Sequence, residues 1–121
     1  MKAKGGRTRR KIEKYYRDLG YLVANVEKGG KFNPEKDLFA LSLGDGYTDK
    51  GFDLICMKQG EILFVQCKTN KPATRKFYKE FARMYASDTV KVIVAVWYDY
   101  KGLLIQEYTP SGEIIVEDLR N

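Results

Sequence analysis

The sequence predicts a single α/β domain in which a central mixed β-sheet is flanked by helices, and three observations carry that expectation. Apolar residues recur at helical spacing twice, at positions 12, 15, 16 and 19 and again at 77, 81, 84 and 85. Around these segments run short β-branched and aromatic stretches separated by turn-forming residues. The length, 121 residues, suffices for one hydrophobic core, and 44% hydrophobic with 31% charged residues suits a globular chain rather than a disordered one.

Taken in order, Ile12, Tyr15, Tyr16 and Leu19 mark an amphipathic helix over residues 8–19, which Gly20 ends as a C′ residue. Residues 21–26 follow as a short strand. Residues 27–51, rich in Gly, Lys, Asp and Asn, form a long loop interrupted by the apolar stretch 38–41, and loops of this length tend to carry function. Residues 52–57 read as a strand, Gln59 and Gly60 as a turn, and residues 62–68 as the hairpin partner. Pro72 and Thr74 open a second helix with an apolar stripe of Phe77, Phe81, Met84 and Tyr85. Residues 90–98, β-branched and nearly continuous, form the central strand. Asp99 to Gly102 signal a turn, and strands at 103–108 and 113–116 flank a second turn at 109–112. The order is αβ, then ββαβββ, a mixed sheet with a helix on each face. The aromatic residues Tyr15, Tyr16, Phe77, Phe81 and Tyr85 fit a core better than a base-stacking platform, because their spacing is helical. Tyr98 and Tyr100, near a turn, are placed to touch DNA or a partner chain.

Composition narrows the chemistry. Histidine is absent, so Ser-His and Cys-His nucleophiles and histidine-metal nucleases are excluded. Cys56 and Cys67 form no CxxC pair, which excludes a zinc site, and both thiols are expected to stay reduced and buried. Carboxylates, amides, lysine and tyrosine remain, a set suited to a hard ion such as Mg²⁺. No apolar run approaches the ~20 residues of a membrane span, and no apolar stretch follows the basic N-terminus. The expected location is therefore the cytoplasm, that of the host if the chain is viral. The net charge is +6, and Lys2, Lys4, Arg7, Arg9, Arg10 and Lys11 all precede the first acid, Glu13. This basic N-terminal arm, residues 1–11, points to a polyanionic partner, nucleic acid.

The segment 51–68 carries the chemistry. Side chains alternate along a strand, so Gln66 and Lys68 share a face with Ile62 and Phe64, while Leu63, Val65 and Cys67 take the other. A hairpin turning at Gln59 and Gly60 brings Asp53 beside the far end of its partner strand, where Gln66 and Lys68 lie. A carboxylate, an amide oxygen and an ammonium then converge on one sheet edge. That grouping suits phosphodiester hydrolysis: Asp53 and Gln66 hold a divalent ion that polarises the phosphate and acidifies bound water, and Lys68 neutralises developing charge. Lys71 and Arg75 extend the basic surface and, with Arg7, Arg9, Arg10 and Lys11, are the expected phosphate contacts.

These residues resemble the PD-(D/E)XK nuclease superfamily, with Gln66 in place of the usual acid. Within it the chain is similar to archaeal-type Holliday junction resolvases and their phage relatives. The likeness rests on Gly5, the basic first helix, Gly20 and Tyr21, and the spacing from Asp53 to Gln66, Cys67 and Lys68. The Gln-Cys-Lys triplet also resembles Mrr-type nucleases. The resemblance implies a restriction-endonuclease-like fold and a metal-dependent endonuclease cutting four-way junctions. It implies Mg²⁺, with Mn²⁺ as substitute, on Asp53, Gln66 and the backbone carbonyl of Cys67. A two-fold symmetric junction calls for a C2 homodimer, whose interface the exposed apolar residues of the sheet edge and second helix could supply. The resolvases' further acid in the first helix falls on Arg9, so Glu13, one turn later, is the replacement candidate. Asp37, in a Lys-Asp-Leu-Phe element resembling one in phage nucleases, is another. Two alternatives stand beside this reading: an Mrr-like or VRR-type nuclease on duplex DNA, and a DNA-binding module with a degenerate site.

Overall fold

The computed structural model of the chain describes residues 2–25, 51–73 and 75–121, with side chains from residue 6 onward. Helix α1 (Lys2–Asp18) begins earlier than the apolar periodicity requires. Lysine, alanine and arginine in its first turns are good helix formers and no proline interrupts them, which outweighs the weaker Gly5 and Gly6. The basic arm is therefore the start of a helix. The buried side of α1 is Thr8, Ile12 and Tyr16, one residue per turn, with Tyr15 half-buried and Leu19 exposed. The helix closes in a Schellman arrangement: Gly20 N–H donates to Arg17 O at 2.9 Å and Tyr21 N–H to Tyr16 O at 3.1 Å. Gly20 takes φ +97°, which explains glycine there.

Strands β1 (Leu22–Asn25), β2 (Leu54–Lys58) and β3 (Glu61–Thr69) follow, then helix α2 (Arg75–Tyr85), then β4 (Val90–Tyr98), β5 (Gly102–Tyr108) and β6 (Ile114–Asp118). All six strands form one sheet in sequence order. Every neighbouring pair is antiparallel except β3 and β4, which run parallel because α2 carries the chain back between them. β4 lies inside the sheet, and Val92 to Val96 are all buried, as a continuous apolar strand requires. The short edge strands β1 and β6 are mostly exposed.

Each face of the sheet has its own core. On one face α1 lays Ile12 and Tyr16 against Val23, Leu54, Cys56, Leu63, Val65, Ile93, Ala95, Leu103 and Ile105. On the other, α2 lays Tyr78, Phe81 and Ala82 against Phe52, Val92, Val94, Val96, Leu104 and Tyr108. The inward side of α2 differs from the expected stripe: Met84 and Tyr85 are exposed, while Tyr78 and Ala82 are buried. Phe81 serves both patterns, so periodicity alone could not orient the helix. No helix among the described residues is long and apolar enough to cross a membrane.

Candidate functional site

The β2–β3 hairpin turns at Gln59 and Gly60, and its register pairs Leu54 with Val65. Asp53 immediately precedes β2, and its N–H donates to Val65 O at 2.8 Å, one residue out of the β2–β3 register, so the chain bulges at this point. The Asp53 carboxylate turns back onto β3 and accepts the Cys67 N–H on Oδ2 at 3.0 Å. It takes the position of the backbone acceptor that β2 would supply if it continued. In an extended strand the N–H and C=O of one residue project to the same side. The Cys67 carbonyl thus opens on the edge that carries Asp53.

Gln66 is only 7% exposed, although it is polar. Its amide faces two acceptors, so its nitrogen donates to Asp53 Oδ2 at 3.1 Å and to Gly51 O at 3.2 Å. An oxygen in that place would confront two other oxygens. The Gly51 carbonyl is held from the far side as well, by the Tyr78 hydroxyl at 2.8 Å. Gly51 adopts φ +107°, a backbone state that disfavours any residue with a Cβ and that helps aim its carbonyl inward. A continuous buried network runs from α2 to β3: Tyr78 hydroxyl, Gly51 carbonyl, Gln66 amide, Asp53 carboxylate, Cys67 N–H.

Lys68 lies two residues beyond Gln66, on the same face of β3, in register with Val96. The structure thus brings Asp53, Gln66 and the Cys67 backbone to one place and sets Lys68 beside them. Glu13 is elsewhere. It sits on α1, against the opposite face, held by Arg9 and Arg17 at 3.4 Å each. Its charge acts instead on Cys56, whose thiol is pushed up to about 12, first by burial and then by Glu13. Glu13 makes no hydrogen bond to Asp53 or Gln66. Asp37 lies outside the described residues, as does all of the 27–51 loop except Gly51.

The basic residues divide into groups. Lys71 and Arg75 are exposed between β3 and the start of α2. Thr8 Oγ1 and Thr69 Oγ1 share a hydrogen bond of 2.7 Å, which pins the first half of α1 to the end of β3. Lys11 Nζ lies 4.6 Å from the ring centre of Trp97 at the adjoining end of β4. Arg7 and Arg10 are exposed on α1, whereas Arg9 is half-buried and ion-paired with Glu13. Neither Cys56 nor Cys67 is in a disulfide; Cys56 is buried as expected, and Cys67 is only half-buried.

Sequence reading missed Gly51, Tyr78 and Gln106. Gln106 is buried on the α2 face, one strand beyond Val94 from Gln66, and its Oε1 has no hydrogen-bond partner among the described residues. Glutamine inside an apolar strand is the signal that could have found it.

The oxygens present suit a hard divalent ion: one carboxylate, an amide that can turn its oxygen inward, and the Gly51 and Cys67 carbonyls. Only one of these groups is anionic, and no cluster of three Asp, Glu or Cys side chains able to hold a metal occurs among the described residues. In comparisons with known proteins, no family model matches the sequence and no curated protein matches it significantly.

Proposed function

We propose that the chain is a metal-dependent DNA endonuclease with a restriction-endonuclease-like fold, acting on branched DNA such as a four-way junction. One observation carries the reading: the hairpin brings the Asp53 carboxylate within 3.1 Å of the Gln66 amide, with Lys68 next along the same face. A bound Mg²⁺ or Mn²⁺ supplies Lewis-acid polarisation of the scissile phosphate. Asp53, Gln66 and the Cys67 carbonyl are the groups to hold it, and Gly51 O adds a further oxygen. Tyr78 positions that carbonyl, and the Cys67 N–H fixes the rotamer of Asp53. The Lys68 ammonium offsets charge that develops on the phosphate. Lys71, Arg75 and the exposed cations of α1 contact the backbone of the substrate. A junction needs two sites, so the working form is a homodimer.

The test incubates end-labelled four-way junction, duplex and single strand with the protein, with Mg²⁺, with Mn²⁺ and with chelator. Junction cleavage that needs the metal is expected, with Mn²⁺ the better ion because an amide replaces a carboxylate. Full cleavage in excess chelator would end the metal reading.

A second reading has its own observation. The Gln66 amide satisfies Asp53 and Gly51 O without any ion, so the network is complete as it stands. That favours a module that binds DNA and no longer cuts it. Junction binding without cleavage in either metal is its expected result.

A further inference from the structure

At the end of the sheet that carries Lys68, the turn between β4 and β5 holds Tyr100. Its side chain is fully exposed, the most exposed large hydrophobic among the described residues. Its backbone is in the left-handed region, at φ +66°. The turn is closed by Lys101 N–H donating to Tyr98 O at 3.0 Å, which makes Tyr100 its third residue. With positive φ that position favours glycine or asparagine, and a residue with a Cβ is strained there. The same end of the sheet has a second left-handed residue, Asn70 at φ 64°, where asparagine is the ordinary choice. A bulky ring has therefore been kept where neither burial nor backbone preference calls for one, a conflict typical of functional positions.

The turn is also fixed in place. Asn70, two residues after Lys68, donates through Nδ2 to Asp99 Oδ2 at 3.0 Å and accepts the Asp99 N–H on Oδ1 at 2.9 Å. Its own N–H donates to Trp97 O at 2.9 Å. This clamp ties the Tyr100 turn to the end of β3. The cations Lys71 and Lys101 flank the clamp, both exposed. The other aromatic side chains of this end already carry cations: Lys11 on Trp97, and Arg120 on Tyr98 with its Cζ 4.7 Å from the ring centre. The ring of Tyr100 is held out on a rigid turn beside a basic strand end.

We propose that Tyr100 stacks on an unpaired nucleobase, so that the surface around Lys68, Lys71 and Lys101 selects DNA with exposed bases, a single strand or a branch point, over uninterrupted duplex. A ring stacks on any base that offers its flat face, and bases inside a duplex are covered by their neighbours. The surrounding lysines supply the phosphate attraction that holds the strand there. The inference rests on the DNA reading given above and specifies the kind of DNA.

The experiment measures fluorescence anisotropy of labelled single strand, four-way junction and blunt duplex with the full chain in chelator, where no cleavage confounds binding. Tyr100→Asn suits the left-handed backbone and removes the ring; Tyr100→Phe keeps the ring. The asparagine variant is expected to bind single strand and junction roughly tenfold more weakly, as loss of one stacked base predicts, with duplex affinity unchanged. The phenylalanine variant should bind as wild type. The asparagine variant should melt at the same temperature as wild type or higher, because backbone strain is relieved. Unchanged binding to all three DNAs, or equal weakening on all three, overturns the stacking role and leaves the nuclease reading untouched. Selective weakening in a protein that cuts nothing upholds the stacking role and sinks the nuclease reading.

Discussion

The two faces of the sheet share six strands but differ in what they bury. The α1 face is closed by aliphatic side chains and Tyr16, and its alternate β3 residues, Leu63, Val65 and Cys67, are apolar or nearly so. The α2 face begins the same way, with Phe64 packed among Phe52 and Phe81 at 5.6 and 5.9 Å, and then changes character along β3 to Gln66 and Lys68. It also buries Gln106 Oε1 and the Tyr108 hydroxyl, neither of which has a hydrogen-bond partner among the described residues, as the α1 face does Trp97 Nε1. A buried polar atom without a partner costs about 1–3 kcal/mol. Both faces thus bury an unpartnered polar atom, but only the α2 face gathers a carboxylate, an amide and a backbone carbonyl into one hydrogen-bonded group. The polar groups around Asp53 on the α2 face have partners.

The sharpest way to break that contrast is to separate activity from stability. Asp53→Asn keeps an oxygen for the Cys67 N–H but removes the charge, so the fold should survive while cleavage falls by about 10²–10³, with Lys68→Ala close behind. Junction affinity should stay near the wild-type value in both, because phosphate contacts lie elsewhere. Cleavage near the wild-type rate in both variants would remove the α2 face from catalysis. The counterpart on the other face is Ile12→Ala, which empties a fully buried position. It should lower unfolding free energy by about 2–5 kcal/mol in a urea titration while the folded fraction cuts normally.

Gln66→Glu sharpens the comparison further. It sets a carboxylate in place of the amide, 3.1 Å from the Asp53 carboxylate and 3.2 Å from Gly51 O, where two hydrogen bonds become repulsions. Without metal the variant should lose about 2–3 kcal/mol of stability, and Mg²⁺ should restore most of it, whereas wild type should respond weakly. A melting curve indifferent to Mg²⁺ in the variant would mean that no ion sits between residues 53 and 66. Gln106→Leu goes the other way: it removes an unpartnered buried oxygen from an apolar surrounding, and should be neutral or stabilising by up to about 1 kcal/mol.

A pH-dependent effect belongs to the α1 face. The Cys56 thiol is raised from 9.0 to about 12 by burial, so the folded state favours the protonated form. Its contribution is complete below pH 9 and is lost as the pH rises toward 12. Cys56→Ala should flatten that alkaline decline in chemical-denaturation midpoints measured from pH 8 to 11; an identical pH profile would exclude Cys56 as its source.

The sequence by itself determined the order of elements, the mixed sheet with a helix on each face, and the hairpin that brings Asp53 beside Gln66. These follow from local periodicity, from turn residues, and from the alternation of side chains along a strand, all of which are written in short stretches of chain. It also determined the face shared by Gln66 and Lys68. What it left undecided needs contacts between distant segments. The rotation of α2 is one case: Phe77, Phe81, Met84 and Tyr85 and the alternative of Tyr78, Phe81 and Ala82 are both helical stripes, and only packing on β4 and β5 selects the second. Glu13 is another: the family resemblance made it a candidate one turn after Arg9, but on α1 it pairs with Arg9 and Arg17. The Tyr78 to Gly51 bond spans 27 residues, and the Asn70 to Asp99 clamp that steadies Tyr100 spans 29. Neither leaves a local signature, because a hydrogen bond across such a separation exists only once the sheet has brought its ends together.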